Sequence, residues 1–204
     1  MLIAVLAPVL AATAGATERP ILYWSFDQVD ALKIHSEGTK AIPAEISTYG
    51  RTVVSPNGFS GSALEIGHRG TFQSTASVPL GETFTLALRV KQADPTTGAW
   101  LGGVPDLGMR VTPEGLGLLQ RQVGTAYVPR VAPGGWEHMA VVVEPGKLTI
   151  YVNGHDSRVV TRKSWKYTHA SGSLRLGGVN WHNLFYGLVD DVCVYDRPLS
   201  AGEI

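Results

Sequence analysis

The side chains with the most chemical potential in this chain are a pair of aspartates near its end and an aromatic loop just before them. Asp190 and Asp191 are adjacent in the strand-like run Leu188–Tyr195. Neighbours on a regular strand point to opposite faces. The two are therefore not expected to form the carboxylate pair, about 5 Å apart, that a retaining glycosidase needs. Nor does any Glu-x-Asp-x-x-Glu stretch supply such a pair from one strand. The six histidines at 35, 68, 138, 155, 169 and 182 are scattered, with no H-E-x-x-H. Gly58-Phe59-Ser60-Gly61-Ser62 lacks the last glycine of a nucleophile elbow, and Gly115–Gln120 lacks the third glycine of a dinucleotide fingerprint. No Walker A or EF-hand loop is present. The sequence contains no Tyr/His/Arg cluster recognisable as such. No catalytic residue is assigned.

Gly178–Tyr186 has a different chemistry. It places Trp181, His182 and Tyr186 beside Asn180 and Asn183, between two glycine-flanked strands. An indole gives a flat apolar face, and amides and imidazole give hydrogen bonds, the mixture found in small-ligand sites. These five residues are the candidate ligand-binding set. Trp165, Tyr167 and Trp100 are second choices, set against packing at the rim. Trp24 and Trp136 are assigned to the core. Arg158, Arg162, Lys163 and Lys166 interleave with Trp165 and Tyr167. Such a mixture binds single strands in some proteins, but here it reads as a solvated surface with lysine stems over aromatics.

The elements that position these groups are strands. Phe84, Leu86, Leu88 and Val90 alternate with Thr85, Ala87, Arg89 and Lys91, the pattern of a half-buried antiparallel strand. Leu22, Trp24 and Phe26 form a similar row, as do Leu148, Ile150 and Val152. Pro145-Gly146 and Asn153-Gly154 are turn signals, so 137–161 is expected to be a three-stranded meander. About ten to twelve short strands are expected, with single helical turns at Ala31–Ala41 and Leu199–Ile204. Asp190 is in phase with Val192 and Val194, and that phase directs it inward.

Composition narrows the classes further. Hydrophobic residues are 44% and charged residues 17% of the 204, which excludes intrinsic disorder. Lys+Arg 17 balances Asp+Glu 17, which argues against nucleic acid as a partner. The single cysteine, Cys193, excludes an internal disulfide and reads as a small apolar strand residue. Leu2–Ala12 is apolar apart from Pro8, and Ala14-Gly15-Ala16 is a small-x-small cleavage pattern. No Lys or Arg precedes the apolar run. Residues 1–16 read as a signal peptide, with an uncleaved anchor as the other reading. After cleavage no membrane span remains. The expected location is secreted, periplasmic or cell-surface, and residues 17–204 form one domain.

Five segments in order resemble the LamG-like family of the concanavalin A-like lectin/glucanase fold. They are Tyr23–Asp27, Gly61–Ile66, Phe84–Lys91, Trp136–Val142 with Leu148–Gly154, and a closing run from Leu174 to Ser200. The resemblance implies an all-β, two-sheet antiparallel jelly-roll sandwich over 21–204. It also implies a calcium ion tying the first and last strands, at positions matching Asp27 and Asp190. Hydrogen bonding of Asp190 to loop amides is the alternative. His35-Ser36-Glu37-Gly38 replaces the family's Asp-Ser-Ser-Gly, which removes one expected carboxylate. The function expected from the resemblance is non-catalytic binding of a glycan. A cell-surface protein or a purely structural role comes next, and a glycoside hydrolase or polysaccharide lyase on the same fold last.

Overall fold

The structure is a computed structural model that describes residues 19–47, 50–130, 133–177 and 184–204. In chain order its strands are β1 (Leu22–Trp24), β2 (Val29–Asp30), β3 (Lys33–Ile34), β4 (Ala44–Ile46), β5 (Thr52–Ser55), β6 (Ala63–Ile66), β7 (Thr71–Ser74), β8 (Val78–Pro79), β9 (Phe84–Gln92), β10 (Ala99–Val104), β11 (Leu107–Val111), β12 (Gly115–Gln120), β13 (Gly124–Pro129), β14 (Glu137–Glu144), β15 (Lys147–Val152), β16 (Asp156–Thr161), β17 (Ser171–Gly172), β18 (Arg175–Gly177) and β19 (Gly187–Tyr195).

Eight strands form one sheet in the order β16-β15-β14-β9-β19-β6-β5, with β1 also paired to β19. Nine form the other, in the order β13-β12-β11-β10-β18-β7-β4-β3-β2, and β8 with β17 makes a two-stranded ribbon. No described residue is helical. The period-2 rows explain why the sheets face each other. Phe84, Leu86 and Leu88 of β9 lie opposite Val143, Val141 and Met139 of β14, all buried. From the second sheet Leu101, Met109, Leu118 and Leu176 meet them. Each such side chain stabilises the fold by roughly 1.5–3 kcal/mol through its burial. Trp24 closes one end of this core. Its ring stands edge-on to Phe72 at 5.0 Å, and its Nε1 donates to the Ile42 carbonyl at 3.0 Å.

The meander β14-β15-β16 turns where expected. Gly146 has φ 74°, and Asn153 and Gly154 have φ 52° and 72°, which suits a tight hairpin. Gly187 opens β19 at φ 152°; a Cβ there would lie 2.2 Å from the Lys91 carbonyl.

Several expectations need correction. The strands number nineteen among the described residues because short two-residue pairings add to the long ones. Ala31–Ala41 holds no helical turn; Ala31, at φ 53°, turns β2 into β3. Residues 199–204 form a hydrogen-bonded turn, capped by Glu203 on the Ser200 amide. Trp136 is half-buried rather than in the core. The inward phase of β14 falls on Met139, Val141 and Val143, which leaves Trp136 and His138 on the outer face. Trp165 and Tyr167 are buried instead, Tyr167 edge-on to Phe84 at 4.9 Å and bonded to the Pro105 carbonyl. Neither is available to a ligand.

Candidate functional site

The outer face of the nine-stranded sheet carries a groove whose lining follows from register. In antiparallel pairs, residues directly opposite share a face. One outward row therefore crosses eight strands: Leu119, Gly108, Gly103, Arg175, Gln73, Glu45, Lys33 and Asp30. With strands about 4.8 Å apart it runs roughly 30 Å. Two depressions, of about 690 and 830 Å³, lie along it and adjoin at Arg175.

The first depression exists because its floor lacks side chains. Gly103 and Gly108 are cross-strand partners, so the backbone itself is the floor there. Trp100 forms one wall. Its indole lies across Gly108, where a Cβ would sit 2.8 Å from Cζ3. The Arg110 guanidinium packs on that ring, 4.8 Å from a centroid, and Nη1 donates to the Tyr127 hydroxyl. Arg121 and Arg175 complete the lining, and Arg175 is held by two bonds from Nε and Nη2 to Gln73 Oε1. Asp106 is the carboxylate on this side, 2.9 Å from His169 Nε2.

Of the candidate ligand residues, Asn180, Trp181, His182 and Asn183 lie outside the described residues. The described residues on either side are Gly177, at the end of β18, and Leu184, which bridges Trp100 beside the groove. Tyr186 is 40% exposed and lines a separate cavity of about 460 Å³ on the other sheet's outer face. Asn57, Glu65 and Lys91 share that cavity. Sequence reasoning ranked Trp100 second and did not see Arg175 or the glycine floor. Only register brings residues 30, 73, 108 and 175 into line.

The outer face of the eight-stranded sheet holds the aspartates, in an arrangement that regular alternation did not predict. β19 carries one extra residue against β9 between Asp190 and Cys193, a β-bulge with Asp191 at φ 49°. The bulge resets the pleat. Asp190 pairs with Arg89 on the outer face rather than sharing the inward phase of Val192. It is buried because the loop between β5 and β6 covers it. Asp190 Oδ2 accepts from the Phe59 and Ser60 amides at 2.8 and 3.3 Å, and Oδ1 from the Asp191 amide at 2.8 Å. Burial pushes its carboxyl up to about 6, the amides pulling the other way. Phe59 clamps the loop down, its ring 3.7 Å from the Arg89 guanidinium carbon.

Asp191 sits on the same outer face. It accepts from Tyr23 Oη at 2.7 Å and from Arg89 Nε at 3.0 Å. With His138 and Cys193 these residues line a cavity of about 340 Å³. A Tyr/His/Arg cluster is thus assembled after all, from residues 23, 138 and 89, far apart in the chain. Burial and the bond to Asp191 push the Tyr23 phenol well above its ordinary value. Burial and the Arg89 charge push His138 down. Burial pushes the Cys193 thiol up to about 12. The cluster knits β1, β9, β14 and β19 together.

Calcium takes six to eight oxygens. Asp27 Oδ1 accepts the Ser62 amide at 2.7 Å, so both aspartates fasten the same loop through N–H groups. Among the described residues no group of three His, Cys, Asp or Glu is placed to hold a metal. Hydrogen bonding to loop amides accounts for both carboxylates as the structure places them. EDTA is expected to leave the melting temperature unchanged. An ion present at 100 times its Kd stabilises by about 2.7 kcal/mol, roughly 5–10 °C in a domain this size. A fall of that size on chelation would restore the calcium reading.

Two antiparallel sheets packed face to face over one core define a jelly-roll β-sandwich. The chain belongs to the laminin-G-type family described as the Concanavalin A-like lectin/glucanases superfamily, which matches residues 67–204. Among solved structures it is similar to domain 4 of AbnA, a GH43 extracellular arabinanase from Geobacillus stearothermophilus, in complex with arabinotriose. That match has TM-score 0.71 and 20% identity over 91% of this chain and 96% of that one. Trypanosoma rangeli sialidase matches at TM-score 0.70 and 14% identity, over 92% of this chain and 32% of that one. The binding domain of botulinum neurotoxin DC in complex with SialylT matches at TM-score 0.70 and 11% identity, over 91% and 50%. The chain therefore spans about a third of the sialidase and half of the toxin domain. These likenesses show the fold.

Proposed function

We propose that this domain is an exported, non-catalytic module that binds a glycan in the groove of the nine-stranded sheet. The observation that carries the reading is the side-chain-free floor at Gly103 and Gly108 walled by the Trp100 indole. An extended chain of sugars lies along such a row, with apolar area beside a few fixed polar groups. The arabinotriose complex of the arabinanase domain and the SialylT complex of the toxin domain support a glycan as the ligand class. The apolar segment at residues 1–16 and the extracellular location of the arabinanase support export. Among the described residues no helix is long and apolar enough to cross a membrane.

The groove also supports binding without turnover. Its carboxylates are Asp30, Glu45 and Asp106. Lys33 stands between Asp30 and Glu45 in the row, and Gln73 and Arg175 separate Glu45 from the strand leading to Asp106. No two sit on neighbouring strands, as a retaining pair about 5 Å apart requires. A glycan array followed by calorimetry on the full chain is expected to show saturable binding with no reducing-sugar or unsaturated product. Product formation abolished by Glu45→Gln or Asp106→Asn would make the domain an enzyme. Silence across the array, with capture of a cell-surface protein, would make it a protein-binding module.

A further inference from the structure

We infer that the Trp100 half of the groove takes an anionic sugar, one bearing a carboxylate or a sulfate; this rests on the glycan reading above. The chain as a whole has equal numbers of cations and anions. Its groove does not distribute them evenly. Arg121 and Arg175 line the depression beside Trp100, and Arg110 lies against the indole. The opposing charge there is Asp106, already paired with His169. The second depression carries Asp30 and Glu45 against Lys33. The boundary between the two halves is Arg175 itself, which lines both.

Surface arginines are commonly no more than a solvated face, and three features distinguish these. Arg175 is oriented by its two bonds to Gln73, which leave its remaining N–H donors for another acceptor. Arg110 is oriented by the indole and the Tyr127 hydroxyl. Arg175 thus loses less freedom on binding than an unheld side chain would, and Arg110 steadies the indole beside it. A guanidinium fork matches the two oxygens of a carboxylate or sulfate, and charge-assisted bonds of that kind are the strong ones. Beside them lie an aromatic wall and a backbone floor, which accept the apolar face of a pyranose ring. The carboxylates of the second depression repel a further anion. The charged sugar is thereby confined to the Trp100 end, and a neutral neighbour is favoured beyond Gln73.

Calorimetry on the full chain tests this with three oligosaccharides of equal length: an oligogalacturonate, a sulfated galactan fragment and a neutral arabino-oligosaccharide. At low salt at least one acidic ligand is expected to bind about tenfold tighter than the neutral one, an advantage that shrinks at high salt. Which acidic ligand wins assigns carboxylate or sulfate. Arg175→Gln and Arg121→Gln are each expected to remove most of that advantage while leaving melting unchanged. Arg175→Lys should restore only part of it, because a point charge replaces the fork. Neutral and acidic ligands binding equally, with both lost in Trp100→Ala, would overturn the anionic assignment and leave the glycan reading standing. Binding of none of the three would overturn both. Tighter binding of single-stranded DNA than of either acidic glycan at low salt would reassign the basic end to nucleic acid.

Discussion

Replacing Glu137 by alanine is expected to destabilise the domain more than any surface change, by about 3–5 kcal/mol. Glu137 and Arg130 form an ion pair whose side chains are 0% and 1% exposed. Arg130 donates to Glu137 Oε2 from Nε at 2.8 Å and from Nη2 at 2.5 Å, and from Nη1 to Gln92 Oε1 at 2.6 Å. Gln92 Nε2 in turn donates to the Thr97 carbonyl at 2.7 Å. The network joins the end of β13 in one sheet to β9 and β14 in the other, so it clamps the sandwich at one end. Deleting the carboxylate leaves a guanidinium in the interior with one partner and no counter-charge. That residual charge, not the lost attraction, sets the size of the effect. Urea denaturation should show a lower midpoint at unchanged slope, and melting should fall by roughly 6–20 °C. The double replacement Arg130→Met with Glu137→Leu should recover most of the loss, because it removes both desolvated charges. A cost below about 1 kcal/mol for Glu137→Ala would mean that water reaches the pair.

The contrast between this network and the meander explains what the sequence revealed. Strands β9, β14 and β15 were legible because their rows alternate without a break and Asn153-Gly154 marks the turn chemically. The fold class followed, since many such rows with turn signals need two sheets to bury them. Arg130, Glu137 and Gln92 were not legible. Each is an ordinary polar residue at a strand end, and only the closing of the two sheets puts them in contact. The aspartates failed differently. Strict alternation placed Asp190 inward and Asp191 outward, but one inserted residue in β19 turned both outward. A bulge leaves no mark on a hydrophobic pattern, apart from an aspartate tolerant of positive φ. Trp136 was misplaced because an indole before an apolar strand reads as core until the phase of Met139 and Val141 is counted back to it. The groove was invisible for a related reason. Gly103 and Gly108 look like loop residues in one dimension, and only as cross-strand partners do they become a floor.

Trp100→Ala is expected to weaken glycan binding by about 2 kcal/mol, near thirtyfold. Trp100 is partly buried, so its rim is open to the depression while one side rests on the sheet. The indole is fixed from two directions, by Gly108 against the ring and Arg110 packed on it. A ring already held in place gives up little entropy on binding, which is why fixed aromatics dominate such interfaces. The alanine variant also loses the packing over Gly108, so a fall in stability accompanies the loss of affinity. Gly108→Ala separates the two effects. It keeps the indole but places a methyl group 2.8 Å from Cζ3, which lifts the ring off the sheet and narrows the floor. Backbone φ at Gly108 is not in the left-handed region, so the substitution adds no backbone strain. Its circular dichroism should match the parent and its melting should fall less than that of Trp100→Ala, while affinity falls severalfold. If Gly108→Ala folds and binds as the parent does, the groove is not the site. Trp181→Ala and Tyr186→Ala then become the deciding variants. Loss of binding in either of them would move the glycan to the 180–186 segment and its neighbouring cavity, where Asn57 and Lys91 stand beside Tyr186.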